Sequence, residues 1–177
     1  MRVISGIYKG RNIIAPVNLP VRPTTDYGKT ALFNMLNSRF DYEGWNTLDL
    51  FSGTGNITYE LLSRGVKTAT AVDMETACTR FISNTVKALK ADNVSIITAD
   101  VFKYLERCTY QFDFIFADPP YGMPGTEKVP ELIFTNKLLK EGGWFVLEHE
   151  KGADYSNQPY FKEYRHYGKV GFSIFEL

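Results

Sequence analysis

The stretch Thr47-Leu48-Asp49-Leu50-Phe51-Ser52-Gly53-Thr54-Gly55 runs from an apolar segment into two closely spaced glycines. Thr47–Phe51 predicts a buried strand, and Gly55–Ser63, which follows at once, predicts a helix. Glycines at alternate positions allow a tight turn between the two and let a ligand approach the backbone closely. The sequence therefore predicts a ligand site at this turn, and Asp49 at the strand end would suit a positively charged ligand.

Strand-like and helix-like segments go on alternating after this unit. The further predicted strands are Thr68–Val72, Val94–Thr98, Phe112–Ala117 and Trp144–Glu148. The predicted helices are one bearing Ala77, Phe81, Ile82, Val86 and Leu89, one near Val101–Glu106 and one near Val129–Leu139. Five strands, each followed by a helix or crossover, predict an α/β fold with a Rossmann-like, doubly wound, mostly parallel sheet. Tyr160–Tyr167 and Lys169–Glu176 have no helix between them and predict a C-terminal antiparallel hairpin.

The first 40 residues precede this alternation and predict an appendage. Val3–Tyr8 and Asn12–Ala15 read as two short strands of an N-terminal β-hairpin. A helix is expected behind Pro23, capped by Thr24 or Thr25, with the apolar residues Ala31, Leu32, Met35 and Leu36 on one face. We expect one domain spanning 1–177, with residues 1–40 packed on a core of residues 44–177.

Length and composition narrow the class of protein. The chain has 177 residues, of which 44% are hydrophobic and 23% charged, and its mean hydropathy is −0.21. These values are typical of one globular domain and disfavour a disordered chain or an integral membrane protein. Cys78 and Cys108 are too few for a disulfide framework or a zinc site, and we expect a cytoplasmic protein without a secretory signal.

The charge of the chain is balanced overall but unevenly distributed. Twenty basic residues match twenty acidic ones, yet residues 1–40 carry an excess of five positive charges. Their basic residues are Arg2, Lys9, Arg11, Arg22, Lys29 and Arg39. A basic arm on an acidic body indicates a local contact with nucleic acid, and the alternative is that scattered charges merely solvate a surface.

Two more acidic residues follow predicted strands. Asp73 comes 18 residues after Gly55, close to the separation at which an acidic residue binds ribose hydroxyls in nucleotide sites. Asp100 ends the next strand and could accept a hydrogen bond from an adenine amine, or could instead cap a helix. A dinucleotide fingerprint would need a third glycine where Thr58 stands, so the sequence disfavours a dehydrogenase.

The most specific motif follows the fourth predicted strand and reads Asp118-Pro119-Pro120-Tyr121. Two prolines remove two backbone donors and fix a rigid bend, whose carbonyls are expected to point outward as free acceptors. Together with the Asp118 carboxylate they could hold an amino group, while Tyr121 offers a flat face for a stacked base. An amine conjugated to a purine is a poor nucleophile, so an enzyme that alkylates it must orient its protons and its lone pair.

These two turns resemble those of class I S-adenosylmethionine-dependent methyltransferases that modify exocyclic amines. Further segments narrow the resemblance to the RsmD family of 16S ribosomal RNA guanine-N2 methyltransferases, over essentially the whole chain. They are Ser5–Arg11, Arg22–Asp26, Ala31–Asn34, Glu60 and Ser63–Gly65. The chain departs from the family at Thr30, where a glutamate is usual, and at Asp73, which keeps the carboxylate of the usual glutamate.

The resemblance implies S-adenosylmethionine as cofactor and a set of site residues. The glycine turn would embrace the methionine moiety, Asp73 the ribose and Asp100 the adenine. The expected residues are Asp49, Phe51, Gly53, Gly55, Asp73 and Asp100 for the cofactor, Asp118, Pro119, Pro120 and Tyr121 for the guanine, and Arg2, Lys9, Arg11, Arg22 and Lys29 for RNA. No metal is expected, because a sulfonium methyl is already activated.

The implied reaction is direct methyl transfer to a base flipped out of its stack. The implied substrate is 16S ribosomal RNA within a small ribosomal subunit particle. Two alternatives stay open: an amino-methyltransferase for adenine N6 or a protein amide, and a non-catalytic RNA-binding assembly module.

Overall fold

The computed structural model describes residues 1–21 and 26–177. Its helices are α1 Asp26–Asn37, α2 Asn56–Ser63, α3 Thr76–Leu89, α4 Val101–Arg107 and α5 Lys128–Thr135. Its strands are β1 Asn46–Leu50, β2 Thr68–Asp73, β3 Val94–Thr98, β4 Phe112–Ala117, β5 Leu139–Glu150, β6 Phe161–Tyr167 and β7 Val170–Glu176. The strands form one sheet in the order β3-β2-β1-β4-β5-β7-β6. The first five run parallel and β7 is antiparallel to both of its neighbours, which confirms the predicted architecture.

The register of the central strands aligns their carboxyl ends. Leu50 of β1 pairs with Val72 of β2 and with Ala117 of β4, and Ala117 pairs in turn with Leu147 of β5. The turns that follow these four strands therefore lie next to each other. In open α/β sheets, ligands bind at the carboxyl ends of the strands.

The sheet has a different set of helices on each face. On the first face, Phe114 and Phe116 of β4 join a core with buried residues of α1, α2 and α3. On the second face, Ile115 and Ala117 pack with buried residues of α4 and α5. Because side chains alternate along a strand, this assignment fixes the face of every strand residue.

Two predicted boundaries are wrong at the junction of α5 and β5. The helix was expected to reach Leu139 but ends at Thr135, because Lys137 adopts a left-handed φ of 55° that reverses the chain. Leu139 already pairs with Phe112, so β5 begins five residues before the predicted Trp144.

The predicted N-terminal hairpin forms, but over shorter strands than expected. Arg2 and Asn12 form an antiparallel bridge, flanked by backbone hydrogen bonds between residues 1–3 and 10–13. Residues 4–8 bind α2 instead of a second strand. A Cβ at Gly6 would lie 1.7 Å from the Ser63 carbonyl oxygen, so glycine is required for this close approach. The predicted cap at Thr24 or Thr25 lies outside the described residues.

Within residues 1–21 and 26–177, no helix has the length and apolar character needed to cross a bilayer.

Candidate active site

The glycine turn is held from beneath by Asp49. Its Oδ2 accepts hydrogen bonds from the Thr58 backbone N–H at 3.1 Å and from the Thr58 hydroxyl at 2.6 Å. Gly55 caps α2 with a φ of 80°, which favours glycine, and Phe51 also has a positive φ of 57°. Thr58, where a dinucleotide fingerprint would have glycine, is thus the partner of the buried acid.

Burial makes Asp49 unusual electrostatically. The side chain is buried, and loss of solvation raises its pKa to about 7. The two hydrogen bonds from Thr58 lower the pKa, and the neighbouring charges of Asp118 and Asp73 raise it further. A carboxyl with this pKa is ready to become an anion when a positive charge arrives. The geometry therefore fits a cationic ligand above the turn.

Asp73 ties the end of β2 to the same turn. Its Oδ2 accepts from the Gly53 N–H at 2.7 Å, and its Oδ1 accepts from the Glu75 N–H at 2.9 Å. A carboxylate has about four acceptor sites, so two remain after these bonds. Its predicted contact with ribose hydroxyls stays a prediction.

Asp100 caps α4, which was one of its two open interpretations. Its Oδ1 accepts from the Lys103 N–H at 3.0 Å, as a helix N-cap does. The residue is half-buried at the edge of the sheet. Its contact with adenine stays a prediction beside this structural role.

The proline turn continues β4 directly next to the glycine turn. The Asp118 N–H donates to the Leu50 carbonyl at 3.3 Å, which joins the two turns. Asp118 is half-buried, Pro119 is buried, and Tyr121 is 47% exposed. One expectation is corrected here: the Pro120 carbonyl is not a free acceptor, because the Met123 N–H donates to it at 3.0 Å.

Four carboxyl groups share the first face at this edge of the sheet. They belong to Asp73 of β2, Asp49 of β1, Asp118 after β4 and Glu148 of β5. Sequence reasoning missed Glu148, although alternation from Trp144 and Val146 would have assigned it to the same face as Asp118. Burial and the neighbouring Asp118 charge raise the pKa of Glu148 to about 9.

The basic residues predicted to contact RNA differ in exposure. Arg2, Lys9 and Arg11 are exposed, and Arg22 lies outside the described residues. Lys29 was predicted to contact RNA, and the structure contradicts this: its side chain is 1% exposed. Its Nζ donates to the Arg2 carbonyl at 2.6 Å and to Asn56 Oδ1 at 2.8 Å, and burial lowers its pKa.

Glu60 is the centre of the contact between the N-terminal segment and α2. Its carboxylate accepts from the backbone N–H groups of Ile4 and Ser5 at 2.9 and 3.0 Å. Arg64 binds it through two nitrogens, and Lys29 Nζ lies 3.5 Å away. These contacts hold the basic segment on the core, and Ser5, Glu60 and Arg64 belong to the segments quoted above for the resemblance.

Comparison with known proteins shows which chains are similar to this one. The family model described as "Conserved hypothetical protein 95" matches residues 1–176. Ribosomal RNA small subunit methyltransferase D of Escherichia coli is 30% identical over 148 residues, covering 84% of this chain and 71% of its own. YlbH of Bacillus subtilis, a candidate rRNA methyltransferase, is 35% identical over 158 residues, covering 87% and 85%.

Solved structures show the same fold. The candidate methyltransferase yhhF of Escherichia coli superposes with a TM-score of 0.86 at 26% identity, over 99% of this chain and 96% of that one. The 16S rRNA N2 G1207 methyltransferase RsmC of Thermus thermophilus, solved with AdoMet and guanosine, gives 0.70 at 18% identity, over 89% and 44%. These superpositions confirm the predicted Rossmann-like fold. Because the family model spans almost the whole chain and the relatives agree with it, the protein belongs to the RsmD family of methyltransferases.

Proposed function

We propose that the protein transfers the methyl group of S-adenosylmethionine to the exocyclic N2 amine of a guanine in 16S ribosomal RNA. The observation that carries the proposal is the position of Asp118. It is a half-buried carboxylate at the end of β4, joined through its backbone to the glycine turn. The names of the family's relatives support RNA as the substrate, and a neighbour of the same fold binds guanosine beside AdoMet.

The residues of the glycine turn fit this cofactor. S-adenosylmethionine would supply a methyl group already activated by a positive sulfonium. Asp49, with its raised pKa, would become the counter-charge for the cationic methionine end. Asp73 would accept from the ribose hydroxyls with its remaining lone pairs, and Asp100 would accept from the adenine amine.

Asp118 would orient the target amine. Its carboxylate accepts an N–H of the guanine amine, which turns the nitrogen lone pair toward the methyl group. Alignment of reacting atoms provides the larger part of the acceleration in such reactions. Asp118 would also be available as a base for the proton that the amine gives up after transfer.

Tyr121 would stack on the flipped base, since it lies three residues after Asp118 and is 47% exposed. Arg2, Lys9 and Arg11 would bind phosphates from the N-terminal segment, with Arg22. Residues 1–40 would therefore act as the RNA-contacting extension of the single domain 1–177.

Asp118→Ala tests the transfer role. The variant should keep cofactor affinity within about threefold and lose most methylation, because its hydrogen bond acts at the amine and not at the adenosine. Tyr121→Ala should raise KM for RNA, since base stacking contributes about 1–3 kcal/mol. Asp92→Ala and Tyr110→Ala are matched controls, because both residues are exposed and lie just before the amino ends of β3 and β4, away from the carboxyl ends that form the site. Near wild-type methylation by Asp118→Ala would remove this turn from the reaction.

Product analysis decides between the amines. Mass spectrometry of nucleosides from 16S RNA of cells lacking the gene should show loss of N2-methylguanosine, which the purified protein restores. Loss of N6-methyladenosine instead would favour the adenine alternative. Failure of the purified wild-type protein to methylate the RNA, together with restored methylation in cells that express Asp118→Ala, would favour a non-catalytic assembly role.

A further inference from the structure

Glu148 is a buried carboxyl at the end of β5 that the mechanism above does not use. Its side chain is 4% exposed, and its Oε2 has no hydrogen-bond partner within the described part of the chain. A buried polar atom without a partner is costly, so such an atom in a site calls for a role.

The sheet register brings Glu148 to the side of Asp118. Ala117 pairs with Leu147, and the residues that follow them, Asp118 and Glu148, are therefore neighbours on adjacent parallel strands. Trp144 and Val146 belong to the core of the first face, so alternation directs Glu148 to that face as well. Asp118 faces the same way, because Phe114 and Phe116 belong to that core.

The surroundings of Glu148 favour its neutral form. Its pairing partner on β7 is the apolar Phe172, and the charged group that acts on it is Asp118. Within the described residues, no lysine, arginine or histidine forms an ion pair with it. Asp49 and Asp73 add further negative charge near Asp118. Burial without a cation disfavours the ionised carboxyl.

We propose that Glu148 is a positioning residue of the transfer site, which stays protonated and leaves Asp118 as the carboxylate that faces the target amine. This inference rests on the proposed role of Asp118. Two adjacent anions would raise the pKa of each other, so an ionised Glu148 would tend to protonate Asp118 and remove the acceptor that the amine needs. A protonated Glu148 avoids this competition.

Kinetics of two substitutions test the inference. Glu148→Gln keeps the shape and neutrality of the protonated acid, so its kcat should stay within about threefold of wild type. Glu148→Leu removes the polar group, and its kcat should fall at least tenfold while KM for S-adenosylmethionine changes less than twofold. Glu150→Gln, two residues further on β5 and exposed, is the matched control. A Glu148→Gln variant as impaired as Glu148→Leu would overturn the inference, as would a fully active Glu148→Leu.

The pH profile separates this role from packing. At alkaline pH the wild type should lose activity as Glu148 ionises near its pKa of about 9, and Glu148→Gln should lose less. Ionisation of guanine itself affects both proteins equally and cancels in their ratio. Identical profiles would contradict a protonated Glu148.

A measurement without RNA distinguishes this inference from the proposed function. The folded pKa of Glu148 is about 9 and its ordinary value is 4.5, so between these values the folded state holds a proton that the unfolded state has released. The unfolding free energy of wild type should therefore fall with rising pH relative to that of Glu148→Gln. In thermal melts from pH 5 to 9, the Tm of wild type minus the Tm of Glu148→Gln should decline as the pH rises. A constant difference would overturn the inference. Should the declining difference appear in a protein that methylates no guanine, the proposed function would fail and the protonated Glu148 would stand.

Discussion

Asp49 makes cofactor affinity depend on pH. Its pKa is raised to about 7, and a bound positive charge favours the ionised form. Affinity for S-adenosylmethionine should therefore increase several-fold between pH 6 and pH 8, with proton release on binding at the lower pH. Calorimetry in two buffers of different ionisation enthalpy measures both quantities. Asp49→Asn should bind more weakly and lose the pH dependence, and an unchanged dependence in that variant would assign it to another group.

Asp73 should contribute to the same binding in a different way. Asp73→Ala leaves the Gly53 and Glu75 N–H groups without their acceptor and removes the expected ribose partner. We expect the affinity to fall by about 1–3 kcal/mol, or about 5- to 150-fold. Calorimetry on the folded variant checks this, with Asp92→Ala as control. Unchanged affinity would remove Asp73 from the cofactor site.

At the scale of the element, the contact between the N-terminal segment and α2 depends on Glu60. Replacing this buried acid by alanine leaves Lys29 and Arg64 without their partner, and breaking a buried ion pair costs about 3–5 kcal/mol. Glu60→Ala should lower Tm and speed hydrogen exchange at Ile4 and Ser5. Exposed Glu106→Ala is the control. Slow exchange at both amides in Glu60→Ala would show that the segment is held by other contacts.

The same elements show what sequence can predict. The strands and helices of the core follow from local periodicity, so their order was predictable from residues 46–150. The packing of the N-terminal segment on α2 was not predictable, because the partner of the Ile4 and Ser5 N–H groups is Glu60, which lies 56 and 55 residues away. Lys29 carried a neglected signal, since it lies three and four residues before the buried Leu32 and Phe33 and thus on the buried face of α1.

Sequence spacing correctly placed Asp73 and Asp100 at the ends of strands. It did not indicate the backbone N–H groups that donate to their carboxylates. Glu148 was missed because alternation along β5 gives the face of its side chain but not its neighbour, which only the sheet register supplies. Its neighbour Asp118 lies 30 residues earlier in the chain and is brought close only by the pairing of β4 with β5.

At the scale of the whole molecule, a net charge of zero limits non-specific attraction to RNA. With Lys29 buried, the expected phosphate contacts are Arg2, Lys9, Arg11 and Arg22. About three or four contacts predict a log–log salt slope of roughly −2 to −3 for single-stranded RNA. Filter binding over a salt series measures it, and a slope steeper than about −5 would contradict so small a contact set.

Weak general attraction also predicts how the target must be presented. A folded small-subunit particle should be methylated faster than naked 16S RNA at matched salt, because shape must replace charge in recognition. Arg11→Glu should impair methylation while leaving cofactor affinity intact, and Lys67→Glu, a reversal outside the N-terminal segment, should not. Equal rates on the particle and on a short oligonucleotide would contradict the prediction.

The position of β6 at the sheet edge bears on how the protein behaves at high concentration. An edge strand offers unpaired backbone groups to which another chain can add, and charged side chains oppose that addition. β6 carries Lys162, Glu163, Arg165 and His166, whereas β7 beneath it is mostly buried and contains Phe172, Ile174 and Phe175. By covering β7, the charged strand shields an apolar one from edge-to-edge aggregation. Truncations or insertions that detach β6 should therefore cost solubility before they affect the chemistry at the carboxyl ends of β1 and β4.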